Sequence, residues 1–279
     1  MPVVLRIIDE PQTNAVKKFF KIFIPNRPKV EKLEAEGVNL KIITYSKRNN
    51  KIPWKKISKI IREDSEYVLC DKGIRVPAIY GIQRFSSNEL YRHLCENAVI
   101  SVLDNLNINP SKINIALYDP RAAYSDLLKV LLQYSSPISV VSNHIEFYEN
   151  ESTELMEEYG IAVLVSDNIS SLDESHLVIA PDKVRVNLGL PNNTVLFTAE
   201  EPGLNLGCVV ISGYKVNTPI KYKKLIPEDM EDEYFLSYLY SENKLYELAS
   251  LIPVYCILDN RAKTINEISE VLNCNCNFE

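Results

Sequence analysis

Ile113-Asn114-Ile115-Ala116-Leu117-Tyr118-Asp119-Pro120-Arg121-Ala122-Ala123 closes one strand and opens one helix, and the residues beyond it decide the fold. The alternating apolar residues Ile113, Ile115 and Leu117 predict a buried strand. A helix is expected near Tyr124 to Tyr134, with Leu127, Leu128, Leu131 and Leu132 on its apolar face. A strand over Ile138 to Val141, a helix over Glu146 to Tyr159 and a strand over Ile161 to Val165 come next, and a buried strand over His176 to Ala180 comes directly after them. Strands that alternate with helices at this spacing pair in parallel through right-handed crossovers. Val195 to Phe197 and Cys208 to Ile211 can extend the same sheet.

Outward from this unit, the first part of the chain is also α/β. Strands are expected over Val3 to Ile8, Val38 to Tyr45 and Glu66 to Cys70, with a helix over Pro53 to Arg62 between the last two. Phe19 to Ile24 fits a strand or a helix end equally well. Ser86-Ser87-Asn88-Glu89 has the form of a capping box and predicts the start of a long helix. Its apolar stripe runs through Leu90, Leu94, Ala98, Val102 and Leu106, and Asn109-Pro110-Ser111 ends it. The tail reads as helical from Pro227 to Leu251, with a break, and again from Ile265 to Leu272. Acids after Pro227 suit a first helical turn, and the aromatic-rich stretch beyond them is expected to be buried between domains or against a second copy of the chain. The expected fold class is therefore α/β, with two α/β domains. Residues 1–110 form the first, including a long connecting helix over 86–108; residues 111–225 form the second, a mainly parallel sheet; residues 226–279 close it with helices.

Composition bounds the function classes. The chain has 279 residues, 46% hydrophobic and 24% charged, which is ordinary for a globular protein and excludes wholesale disorder. No apolar run is long enough to span a membrane, and the first ten residues do not resemble a signal peptide, so a cytoplasmic protein is expected. Six scattered cysteines then favour reduced thiols. A net charge of −6 argues against a general nucleic-acid binder.

The stretch from Ser86 to Asp182 resembles the cofactor domain of the shikimate-dehydrogenase type of NAD(P)-binding fold. A small α/β domain, a long helix and then a Rossmann-like unit occur in that order. Ile138-Ser139-Val140-Val141-Ser142-Asn143 is similar to the strand that ends in a ribose-reading position, and the segment from Ser171 to Pro181 is similar to the run into the fourth strand. The resemblance implies a Rossmann-like sheet and an NAD(P) site. The sequence departs from the family at that site. No glycine lies between Gly81 and Gly160, Pro120 removes one amide, and Asp119 places a carboxylate where phosphate would sit. Asn143 stands where a carboxylate often holds the ribose of NAD, and no adjacent base suggests NADP. NAD(P) is thus possible but disfavoured by the loop, and neither the catalytic Lys nor the catalytic Asp of the family maps onto this chain.

The carboxyl edge of such a sheet is where ligands bind. Here it is expected to present Asp119, Arg121, Ser142, Asn143, Ser166, Asp167 and Asp182 as an acidic, polar pocket for a hydroxylated ligand or a divalent cation. The same residues are also common turn and cap formers. Asp119 and Ser142 further resemble the first two motif positions of haloacid-dehalogenase phosphotransferases, although Arg121 replaces that family's second carboxylate. No Gly-x-Ser-x-Gly elbow, Walker A loop or His-Glu-x-x-His helix occurs. His93, His144 and His176 lack a recognisable nucleophile, and Cys274 with Cys276 lacks the further ligands that zinc requires. Lys47 to Arg62 carries seven basic residues and no acid. On a helix, Lys55, Lys56, Lys59 and Arg62 would face water, either as a solvated face or as a dock for an acidic partner. Two functions result as expectations. One is a ligand-binding, regulatory or pseudoenzyme role without conventional dinucleotide binding. The other is an NAD(P)-dependent oxidoreductase or other small-molecule enzyme with an atypical phosphate loop, its ligand in an interdomain cleft. A homo-oligomer is compatible with either.

Overall fold

Strands buried on both faces are continuous apolar runs, and a computed structural model shows thirteen strands, many of this kind, in two sheets among the described residues. It describes residues 1–9, 26–35, 37–47, 51–106 and 109–276. Phe19 to Ile24 and Arg48 lie outside them. The chain divides into two units, residues 1–87 with 218–245 and residues 88–217 with 246–279.

The first unit holds β1 (Val3–Asp9), β2 (Lys29–Ala35), β3 (Val38–Lys47), α1 (Trp54–Arg62), β4 (Tyr67–Cys70) and β5 (Gln83–Arg84). Its sheet has the order β2-β3-β1-β4-β5 and is parallel except for the β2–β3 pair. Ile57 and Ile61 of α1 pack with Val3, Leu5, Ile43, Val68 and Ile82 into one core. The buried Lys41 ammonium donates to Ile60 O at 2.7 Å, to Glu63 at 2.9 Å and to Asp64 at 2.6 Å. Burial disfavours its charge, but those bonds and the two carboxylates outweigh burial and raise its pKa.

The second unit begins with α2 (Glu89–Asp104) and continues through β6 (Ile115–Tyr118), α3 (Ser125–Leu131), β7 (Ile138–Val141), α4 (Ile145–Tyr159), β8 (Val163–Ser166), β9 (Leu177–Ala180), β10 (Val195–Thr198) and β11 (Val209–Lys215). Six strands lie in the order β11-β10-β9-β6-β7-β8, all parallel, which is the Rossmann-like arrangement that the alternation predicts. The capping box at Ser86 does not set the helix start: α2 has Asn88 at its N-cap, without a side-chain capping bond. Beyond β8 the regular alternation stops. The later crossovers are loops apart from a short 3-10 helix at Ile169–Leu172, and their Leu172, Val184, Leu188, Leu190 and Leu206 pack on Ala116, Val178, Ala180 and Leu196. They form the apolar layer that helices would otherwise supply.

The linear three-segment division differs from this partition, because α2 belongs with the second unit and residues 218–245 return to the first. The returning segment contains α5 (Asp232–Asn243), which is broken from the next turn by Lys244 at φ +47°. Phe235, Leu236, Tyr238 and Leu239 of α5 are buried. Two of the acids before α5 form ion pairs instead of joining its first turn: Asp229 meets Arg6 at 3.2 Å and Glu231 meets Lys72 at 2.7 Å.

The closing segment is not wholly helical either. β12 (Tyr255–Leu258) and β13 (Arg261–Thr264) extend the second sheet antiparallel before α6 (Ile265–Cys276). Asp259 at φ +49° and Asn260 at φ +61° make the two-residue turn that matches strand twist. A capping box forms at Thr264, whose hydroxyl accepts Glu267 N at 3.2 Å while the Glu267 carboxylate accepts Thr264 N at 2.8 Å. Among the described residues no helix is long and apolar enough to cross a membrane.

Candidate functional site

β6 sits between β7 and β9, so chain connections leave it in opposite directions and the strand order reverses there. Register places Tyr118 beside Val141 and Leu117 beside Ile179, so the loops after β6 and β9 emerge together at the carboxyl edge. This is the position at which open α/β sheets leave a crevice for ligands.

The loop after β6 is built around Asp119. Its side chain turns inward and is fully buried. One carboxylate oxygen accepts Arg121 N at 3.2 Å; the other accepts Ala123 N at 2.7 Å, Tyr124 N at 2.8 Å and the Tyr148 hydroxyl at 2.5 Å. The remaining amide, Ala122 N, donates to Asp119 O at 3.4 Å. Every N–H from residue 121 to residue 124 is therefore engaged within the loop. Ala122 adopts φ +54°, a left-handed conformation that glycine adopts without cost. Tyr148, fully buried on α4, has its pKa raised by burial and then by the bond it donates to Asp119.

The loop after β9 places Asp182 quite differently. Its carboxylate accepts Arg121 Nε at 2.9 Å, a closer Arg121 Nη2 contact, and the Tyr124 hydroxyl at 3.0 Å. Arg92 Nε from α2 lies 2.7 Å from Asp182 Oδ1, an ion pair outside hydrogen-bond geometry. The Thr198 hydroxyl donates to Asp182 O at 3.0 Å and ties this loop to the end of β10. The Tyr124 pKa is raised by burial and then by the charge of Asp182, with Arg92 opposing. That of Arg121 rises through its bond to Asp182.

A pocket of about 390 Å3 opens over these groups and is lined entirely by the second unit. Arg92, Arg121, Lys183 and Arg185 face it with only Asp182 and Glu200 as acids, and Lys183 pairs with Glu200 at 2.8 Å. The expected acidic pocket is in fact basic. Two of the predicted residues, Arg121 and Asp182, meet in it. Asp119 lies beneath it, directed into the protein. Ser142 is buried and accepts His144 N at 3.1 Å; Ser166 accepts Asn168 N at 3.0 Å, while Asn143 and Asp167 are exposed. None of these four lines the pocket. Arg92, Lys183, Arg185 and Glu200 carry no recognisable motif, although Asp182-Lys183-Val184-Arg185 just past a buried strand is a readable charge signal that sequence reasoning missed.

Among the described residues no three His, Cys, Asp or Glu side chains are grouped to hold a metal ion. His176 Nδ1 accepts Asn114 N at 3.0 Å, His93 lies 3.5 Å from Glu96, and His144 is exposed ahead of α4. None of the three lines the pocket. Cys274 is exposed, and the Cys276 side chain lies outside the described residues. On α1, Lys55, Lys56, Lys59 and Arg62 are exposed opposite the buried Ile57 and Ile61.

No protein-family model matches the chain, and no curated protein matches it. Among solved structures, the likeness to a subunit of dipicolinate synthase from Bacillus halodurans has a TM-score of 0.40 at 9% identity, covering 89% of this chain and 98% of that one. L-tryptophan dehydrogenase from Nostoc punctiforme gives 0.34 at 9% identity over 98% and 81%. Shikimate dehydrogenase from Thermotoga maritima gives 0.31 at 12% identity over 88% and 94%. Scores this low carry nothing about chemistry, and the Rossmann-like fold of the second unit stands on its own strand order, register and parallel pairing.

Proposed function

We propose that this protein is a small-molecule enzyme with an atypical phosphate loop, taking a small organic anion such as a phosphorylated or carboxylated metabolite at the switch point of its second unit. The observation that carries this reading is the basic pocket over the loops after β6 and β9. Arg185 and Lys183 stand exposed at it, and Arg121 is held over it by Asp182. Arginine forks bind phosphate and carboxylate in two-pronged geometry, which suits such a ligand better than a neutral one. Isothermal titration with a panel of sugar phosphates, nucleoside monophosphates and keto acids tests it. Saturable binding of at least one class, weakened at least tenfold by Lys183→Glu with Arg185→Glu, is expected. If no member binds at millimolar concentration, the reading fails.

A second reading, a regulatory or binding protein without turnover, draws on the engagement of all four loop amides, since a self-contained loop needs no cofactor to form. Binding without consumption of any bound compound would favour it.

A further inference from the structure

The loop of a dinucleotide site offers its free amides to a pyrophosphate. The residues present here do not fit that group. Arg121 N, Ala123 N and Tyr124 N already bind the Asp119 carboxylate, which is fully buried, and Ala122 N binds the Asp119 carbonyl. Tyr148 adds a hydroxyl donor from α4, and it does not line the pocket. A pyrophosphate entering this loop would have to displace a carboxylate covalently tethered in place, and would meet its charge.

We infer that Asp119 is a built-in anion that fills the phosphate cradle, making it the group that sets ligand class at this edge. Dinucleotides are excluded from the loop. The anionic end of the ligand is moved outward, onto the guanidinium groups of Arg121 and Arg185 and the ammonium of Lys183. A ligand with a single carboxylate or monophosphate satisfies those side chains, whereas one bridged through a pyrophosphate has no amide cradle to enter. The placement of the ligand rests on the pocket proposed above; the occupancy of the cradle by Asp119 does not. Asp119 acts through the loop and is a positioning residue.

The test is chemical rescue in the full chain. Thermal unfolding of the wild type, Asp119→Gly and Tyr148→Phe is followed with added formate, inorganic phosphate and inorganic pyrophosphate. Asp119→Gly is expected to melt lower and to regain several degrees with these anions, beyond any shift they cause in the wild type. Tyr148→Phe, which keeps the carboxylate, is expected to show no extra rescue. Equal responses of wild type and Asp119→Gly would overturn the inference. Should Asp119→Gly not fold, titration of the wild type with NADPH decides. Weak binding, no tighter than that of a nucleoside monophosphate, supports the inference; micromolar binding competed by inorganic pyrophosphate overturns it. Rescue of Asp119→Gly together with a wild type that binds no small anion would leave Asp119 in its role and remove the pocket's.

Discussion

Asp119 and Asp182 both lie just past a parallel strand of the same sheet at the same edge, yet their carboxylates are used in opposite ways. Asp119 is bonded by its own loop's backbone, within five residues, plus one tyrosine hydroxyl. Asp182 is held by side chains distant in sequence, from Arg92, Arg121 and Tyr124. The first arrangement fixes a backbone; the second fixes cations in front of a pocket. A strand-end carboxylate is therefore structural or ligand-facing according to where its donors come from.

The sharpest break in this contrast comes from removing the Asp119 carboxylate. Asp119→Ala strands three amides and a phenol in a buried site and is expected to cost about 3 to 5 kcal/mol in urea unfolding. A loss below about 1 kcal/mol would mean the loop does not depend on it. Tyr148→Phe deletes one buried hydrogen bond to a charged group and should cost about 1.5 to 3 kcal/mol by the same measurement.

Alkaline pH probes both carboxylates at once through their tyrosine partners. Tyr148 and Tyr124 have raised pKa values, so the folded state keeps protons that the unfolded chain releases. Their contribution is complete below pH 10.0, the ordinary tyrosine value, and is lost as pH rises from there toward the folded values. Tyr148→Phe and Tyr124→Phe should each flatten that alkaline decline. Unchanged slopes in pH-dependent unfolding would refute the assignment.

Asp182→Asn is expected to change stability by only about 1 kcal/mol, because Arg121 is half-exposed and can turn to water. Its larger consequence is electrostatic: with Arg92 and Arg121 no longer neutralised, titrated monophosphates should bind more tightly. Weaker binding would show that Asp182 holds those arginines in a geometry the ligand needs. The smallest stability effect belongs to α1. Lys55→Glu with Lys59→Glu should shift stability by no more than about 0.5 kcal/mol, while salt-sensitive retention on heparin is expected to disappear if that face docks an acidic partner.

The sheet of the second unit is legible in the sequence because β6, β7, β8 and β9 are short apolar runs separated by helix-length segments or turns. The hairpin β12–β13 is not: Tyr255 to Leu258 is an apolar run outside the strand-helix alternation, where so short a run cannot be told from a helix segment, and Arg261 to Thr264 is mostly polar. Its signal is the Asp259-Asn260 pair, which favours positive φ at both positions. β2 escapes for a related reason: Lys29-Val30-Glu31-Lys32-Leu33-Glu34 alternates poorly and borders β3 with its charges outward. Within the site, sequence places Arg121 and Asp182 at the correct edge. It cannot show that Asp119 turns inward, because that depends on Ala122 adopting a left-handed conformation and on Tyr148 arriving from another helix. Arg92 is hidden by its position off the apolar stripe of α2, where a salt bridge to a distant loop leaves no periodic trace.

The return of residues 218–245 to the first unit also sets a schedule. Val3 N donates to the Tyr238 hydroxyl at 2.8 Å in a buried contact across 235 residues of sequence, and Phe85 meets the same ring edge-on at 4.6 Å. During synthesis at about 5 to 20 residues per second, β1 waits roughly 10 to 50 s for that partner. The first sheet, whose five strands end at Arg84, must therefore persist without its α5 contact, the Val3 amide left to water, while the parallel core of the second unit emerges. A ribosome-bound chain stalled before Tyr238 should leave its first unit more open to protease than the finished chain does.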